Sequence, residues 1–270
     1  MGLIFDINAA KLFQSWYRST QGKAMDESIN KAILTLLKPQ RRERILDIGC
    51  GEGNHLLFLN SLGLDISGID ASPYMISRAR ERLGDRCTLK TGMAEELPFD
   101  DNEFDLAVFI NTLEFLDDPL KALKEAGRVA KRKVFVGVMN SLSWNCLYRK
   151  SIGLFHKSIF RYIKFYNVLE LKSYVQKAYG DVPMTWRCMP GRSSLLGRRE
   201  RLMTDRWDIK HCPFGSFLGL SATIIYRVRT EQHPLKVRLK KAEHSVVRGA
   251  TLRNINHVTG DHRRERSLSL

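Results

Sequence analysis

The sequence predicts an open α/β sheet on three observations. Short apolar runs alternate with helical patterns across residues 44–139, a glycine-rich turn closes the first run, and an acidic residue closes the second. Arg44 to Gly49 reads as a short buried strand and His55 to Leu62 as the helix after it. Leu64 to Asp70 is a second strand, and Ser72-Pro73 supplies an N-cap and an N1 proline for a helix to Leu83. Cys87 to Thr91 and Phe104 to Ile110 follow as strands, Pro119 opens a helix through Ala130, and Val134 to Met139 is a fifth strand. Strands joined through helices by short loops pair in parallel with right-handed crossovers, which puts helices on both faces of the sheet. Further on, Val168 to Tyr179 is helical, Met184 to Met189 reads as a strand and Phe217 to Val228 as another, making a mostly parallel seven-stranded sheet. Before all of this, the first forty residues read as helix, with Ile29, Ile33, Leu34 and Leu37 at helical spacing and Pro39 closing the segment.

A chain of 270 residues, 43% of them hydrophobic, can bury one sizeable core. One principal domain is therefore expected over 1–230, with a variable helical insertion or cap at 141–180 and a basic, flexible tail at 231–270. The opening residues carry no basic stretch followed by an apolar one, and no apolar run approaches the roughly 20 residues that span a bilayer, so a cytoplasmic protein is the expectation. Five cysteines at irregular spacing (50, 87, 146, 188 and 212) suit a reducing compartment and match no zinc-ligand pattern, so no metal is expected. The formal charge of +15 makes an anionic partner worth weighing. No acidic residue falls between Glu125 and Glu170, and the last forty residues carry nine Lys/Arg against four Asp/Glu.

The strongest local signal is Asp47-Ile48-Gly49-Cys50-Gly51-Glu52-Gly53. Glycines there let the backbone approach a ligand, and the next helix offers free N–H groups to a carboxylate or phosphate. Counted from Gly49, the third glycine of a dinucleotide fingerprint would fall at Asn54, which disfavours a nicotinamide dinucleotide. About twenty residues on, Asp70 ends the second strand, where a carboxylate can accept both hydroxyls of a ribose or can serve the following helix start.

Taken together, Asp47 to Gly53, Gly68-Ile69-Asp70-Ala71-Ser72, Ala94 to Asp105 and Asn111 to Pro119 resemble the class I S-adenosylmethionine-dependent methyltransferases, most closely the type 11 group. That resemblance implies a Rossmann-like sheet and S-adenosylmethionine as cofactor. It assigns the methionine end to Asp47, Gly49, Cys50 and Gly51, with Asn111 supporting the amino group. It puts the ribose on Asp70 and the adenine beside Ala71, Met93 and Ala94, while Tyr17, within Trp16 to Gly22, covers the cofactor. Met93 departs from the family pattern, which commonly has an acidic or amide side chain there to accept from the adenine amino group. Cys50 reads as a small filler of the turn rather than a nucleophile, and His55 as an exposed or capped helix residue. Glu114 falls where it would face a methyl-transfer cleft or cap the next loop. The acceptor site is expected in the first helix and in the insertion, where Trp144, Tyr148, Phe155, Phe160, Tyr162, Phe165 and Tyr166 stand among Lys157, Arg161, Lys164 and other cations. A small-molecule acceptor is the first reading, RNA such as tRNA the second, and peripheral contact with a membrane a third. A cofactor-binding partner protein without catalysis is the reading from another class.

Overall fold

The computed structural model describes residues 7–143, 164–189 and 215–224. The expected tail and the middle of the expected insertion lie outside the described residues. The elements are α1 (Ile7–Arg18), α2 (Thr20–Ala32), a π turn (Ile33–Leu37), β1 (Arg44–Ile48), α3 (Asn54–Ser61), β2 (Asp65–Asp70), α4 (Pro73–Leu83) and β3 (Thr88–Thr91). They continue with β4 (Phe104–Ile110), α5 (Pro119–Val129), β5 (Ala130–Met139), α6 (Val168–Tyr179), β6 (Met184–Met189) and β7 (Phe217–Thr223).

The seven strands form one sheet in the order β3-β2-β1-β4-β5-β7-β6. β3, β2, β1, β4 and β5 are parallel, while β7 runs antiparallel to both β5 and β6. The alternation of side chains along a strand sorts two cores onto the two faces. Along β4, Ala107 and Phe109 belong to a cluster with Ala122, Leu123, Ala126 and Val129 of α5 and Leu171 and Val175 of α6. Leu106, Val108 and Ile110 belong to the other, with Ile29 and Ala32 of α2, Leu56 and Leu59 of α3, and Ile76, Ala79 and Leu83 of α4. Helices therefore cover both faces, as the sequence predicts. Within the insertion, α6 packs against α5 and the sheet, entered through a capping box between Asn167 and Glu170.

The N-terminal reading needs correction. The first forty residues are not one helix: the chain breaks at Ser19, whose hydroxyl caps α2 by accepting from Gly22 N at 3.1 Å. The break brings α1 back against α2 so closely that a Cβ at Gly22 would lie 2.3 Å from Trp16 O. Leu34, taken as part of the apolar stripe, is 46% exposed, because the π turn rotates it away from the sheet. β5 starts four residues earlier than expected, at Ala130 directly after α5, since the basic run at 131–133 pairs as strand despite its exposure.

α5 and α6 meet at Gly127, where a Cβ would lie 2.5 Å from Tyr179 Cε1. Gly127→Ala gains about 1 kcal/mol of helix propensity but overpacks a half-buried ring contact that costs about 1–3 kcal/mol. The expected outcome is a lower urea midpoint than the wild type; a higher one would show that the ring moves aside freely.

Candidate functional site

The site grows from the ends of β1 and β2. Gly49 N and Cys50 N both donate to Ile69 O, at 2.7 and 3.0 Å, and the Asp70 carboxylate accepts from Gly51 N at 2.9 Å and Ser72 N at 2.8 Å. Gly49 has φ +77°, and a Cβ on it would run 2.3 Å from Thr112 Cγ2. Gly51, at φ +53°, faces open space with nothing within 4 Å of where a Cβ would be. One glycine is therefore needed for packing and the next leaves room for a ligand. Each Asp70 oxygen uses one lone pair on the backbone and keeps another for an outside donor. Ser72 caps α4, so Asp70 is not merely the helix cap.

These elements surround a cavity of about 1080 Å³, counting its open mouth. It lies where the strand order reverses between β1 and β4, the crevice at which open α/β sheets bind ligands. Nine of the ten residues singled out from the sequence line it: Tyr17, Gly49, Cys50, Gly51, Asp70, Ala71, Met93, Ala94 and Asn111. Asp47 does not. It lies beneath the turn, 1% exposed, with neither carboxylate oxygen hydrogen-bonded to any described residue. Burial, together with the charge of Asp70, pushes its pKa up to about 8. Met93 is 40% exposed at the rim. Its loop is held to α5 by Arg128, which donates to Leu97 O and Phe99 O and pairs with Glu125 and Asp101. Asn111 turns the chain at φ +52° and points its Nδ2 at Tyr17 Oη, 3.4 Å away, leaving its Oδ1 buried without a partner.

The lining also includes residues that motif reading missed, among them Gln14, Glu52, His55, Glu95 and Phe115. Glu52 lay inside the glycine motif and was legible there. Gln14 carries no local signal; it arrives through the fold of α1, donating to both Glu52 oxygens at 3.2 and 3.1 Å. Among the described residues, three carboxylates line the cavity and no Lys or Arg does, in a chain of net charge +15. Of the basic insertion, Lys164 donates to Tyr174 Oη at 2.9 Å and lies over the rings of Tyr166 and Tyr174. Among the described residues no group of His, Cys, Asp and Glu is placed to hold a metal, and no helix is long and apolar enough to cross a membrane.

Three further readings are settled by burial. His55 is not exposed but 6% accessible, on the cavity wall. Cys50 packs its Sγ over Gly68, and burial drives its thiol pKa well above the ordinary value, so it is no nucleophile. Glu114 does not line the cavity: it is 3% exposed and accepts from Met139 N at 2.7 Å, pinning the end of β5.

A sheet of this topology with an acidic cavity at its switch point resembles the architecture of class I methyltransferase domains. The profile of the family described as "Methyltransferase domain" matches residues 46–136. Over 119 residues the chain is 28% identical to a sterol 4-C-methyltransferase of Caenorhabditis elegans, covering 41% of this chain and 36% of the relative. Over 130 residues it is 28% identical to a chloroplastic tocopherol O-methyltransferase of Arabidopsis thaliana, covering 46% of this chain and 37% of the relative. The chain thus spans little more than a third of the length of these curated relatives. Among solved structures it resembles a methyltransferase of Thermotoga maritima, a possible histamine N-methyltransferase, with TM-score 0.64 and 23% identity over 80% of this chain and 96% of that one. That likeness is one of fold. Residues 46–136 thus match the methyltransferase-domain family, and the fold is that of solved S-adenosylmethionine-dependent methyltransferases.

Burial lifts the Glu114 pKa from 4.5 to about 8, against the opposing hydrogen bond from Met139 N. A carboxyl that binds its proton more tightly when folded contributes stability that is complete below the unfolded pKa and is lost as pH rises through the folded one. Glu114 and Asp47 therefore both make stability fall between about pH 4.5 and 8. Glu114→Gln keeps the carbonyl that accepts from Met139 N and removes one of the two titrations. Urea unfolding across that window is expected to show a slope flatter by up to about one proton; an unchanged slope would mean that Glu114 stays ionised in the fold.

Proposed function

We propose that the chain binds S-adenosylmethionine in this cavity and transfers its methyl group to a small organic acceptor. The observation that carries this is charge: the described lining contains Glu52, Asp70 and Glu95 and no Lys or Arg, which suits a positively charged ligand better than a pyrophosphate. The buried, unpartnered Asn111 Oδ1 and Glu95 Oε2 are acceptors awaiting donors. When bound, the cofactor supplies a methyl group made transferable by the positive charge on its sulfur.

The chain's own residues bind and orient. Asp70 accepts the ribose hydroxyls with its remaining lone pairs, Ala71, Met93 and Ala94 border the adenine, and Gly49, Cys50 and Gly51 give the methionine end a close backbone wall. Asn111 Oδ1 takes the amino group, and Tyr17, carried in by α1, closes the side away from the sheet. Asp47 supports the turn from beneath, where burial favours its protonated form. Holding donor and acceptor in line while excluding water supplies about 7–11 kcal/mol of the barrier reduction, with no side-chain nucleophile. The acceptor is read as a small molecule because the matched relatives carry the names of sterol and tocopherol methyltransferases.

Calorimetry tests the reading. S-adenosylmethionine is expected to bind while a nicotinamide dinucleotide does not. Asp70→Ala is expected to weaken binding at least about tenfold, since a charge-assisted hydrogen bond contributes about 1.5–3 kcal/mol. Undiminished affinity in Asp70→Ala would remove the ribose from that carboxylate. Met93→Asp adds an acceptor at the exposed rim and is expected to bind the cofactor equally or more tightly; a marked loss would place Met93 in packing contact instead.

A further inference from the structure

Inside the cavity wall, a chain of three side chains runs from the ligand space to the surface. Tyr17 Oη lies 3.3 Å from His55 Nε2 and accepts from Asn111 Nδ2 at 3.4 Å. With Asn111 donating, the Tyr17 hydroxyl has its own proton to give to His55 Nε2, which places the imidazole proton on Nδ1. His55 Nδ1 and Asp26 Oδ1 are both buried without a hydrogen-bond partner and face each other across 3.6 Å. Two orphaned buried atoms of complementary character at that separation need only a few tenths of an ångström to bond, and such contacts often tighten when a ligand binds. The ends of the chain differ in solvent access: the His55 side chain is 8% exposed and that of Asp26 is 37% exposed.

We propose that Tyr17, His55 and Asp26 form a proton relay from the cavity to solvent, serving an acceptor that loses a proton on methylation: a hydroxyl, phenol or acidic carbon. The proposal rests on methyl transfer in this cavity. As the acceptor's electron pair forms its bond to the methyl carbon, the carbon–sulfur bond breaks with its pair left on sulfur. The acceptor's proton passes to Tyr17 Oη, Tyr17's own proton to His55 Nε2, the Nδ1 proton to Asp26, and Asp26 yields it to water. Burial keeps His55 neutral by lowering its pKa to about 4, so Nε2 has a lone pair to receive the proton. Tyr17 comes from α1 and Asp26 from α2, and Asp47 of β1 and Glu114 beyond β4 complete the titratable groups felt at the Tyr17 hydroxyl. Burial above all, and these carboxyls when ionised, oppose ionisation of Tyr17, so the tyrosine passes a proton on and does not hold a charge. His55 and Asp26 are positioning residues, acting through Tyr17.

The test is nitrogen NMR of the full chain labelled at histidine, with the His55 signals assigned by their loss in His55→Gln. The expected result is a neutral ring protonated at Nδ1, with the Nε2 signal displaced in Tyr17→Phe and the Nδ1 signal displaced in Asp26→Asn. A ring protonated at Nε2, or signals indifferent to both variants, overturns the relay. Methyl transfer is then followed on a panel of phenols and hydroquinones, with a thiolate as the probe that has no proton to lose. Asp26→Asn is expected to slow transfer to the phenols about 10²-fold while transfer to the thiolate is unaffected, as for loss of general-base assistance. Equal slowing of both probes, or transfer by the wild type to no phenol, overturns the acceptor assignment. Calorimetry with S-adenosylmethionine separates the layers: absent binding defeats the proposed function, whereas normal binding with the wrong tautomer defeats only the relay.

Discussion

The site depends on one carboxylate. Asp70, the last residue of β2, holds Gly51 N with one oxygen and Ser72 N with the other, while Ile69 O takes the N–H groups of Gly49 and Cys50. The glycine turn after β1 is thereby fastened to the end of the neighbouring strand, and α3 and α4 leave the sheet from fixed points. The arrangement is costly, since Asp70 is held against the buried Asp47, and each carboxyl is shifted upward by its surroundings. Burying these acids is tolerated in part because backbone N–H groups offset some of the desolvation at Asp70. It leaves the cavity with an electrostatic appetite for cations.

The elements that line up between residues 44 and 139 were legible in sequence because their causes are local. Ser72 and Pro73 start α4, the alternation of Leu106, Val108 and Ile110 against Ala107 and Phe109 marks a strand with two buried faces, and the glycines answer to a turn of positive φ. Nine of the ten chosen side chains reached one cavity for the same reason: strand ends in a parallel sheet converge. What escaped the reading depends on long-range packing. The turn at Ser19 is capped by its hydroxyl, which a reader can notice, but the direction α1 then takes is set by Gly22 meeting Trp16. Gln14 and His55 were invisible as site residues because their partners, Glu52 and Tyr17, lie 38 positions away in each case.

Glu114 and His55 show how burial decides between chemistries that a sequence leaves open. Both are titratable groups near the strand ends, and position along the chain favoured Glu114 for the cleft. The fold turns Glu114 inward, where its carboxyl group accepts from the N–H of Met139, and brings His55 to the cavity wall beside Tyr17. Desolvation then acts in opposite senses, keeping the acid protonated and the imidazole neutral. Neither carries a charge into the interior at neutral pH, which is the condition for burying them at all.

Among the described residues, every one that lines the cavity falls between Gln14 and Leu116. The antiparallel pair β6 and β7, and α6 behind it, support the sheet without contributing a wall. The described chain is in this respect modular: a stretch of about a hundred residues specifies the described cavity lining, and mutations in α6, β6 and β7 reach it through the packing of β5 against β4. Two descendants of such a chain could diverge in α6, β6 and β7 and still inherit the same described lining, so a lineage can vary its far sheet edge while its oldest binding surface stays unchanged.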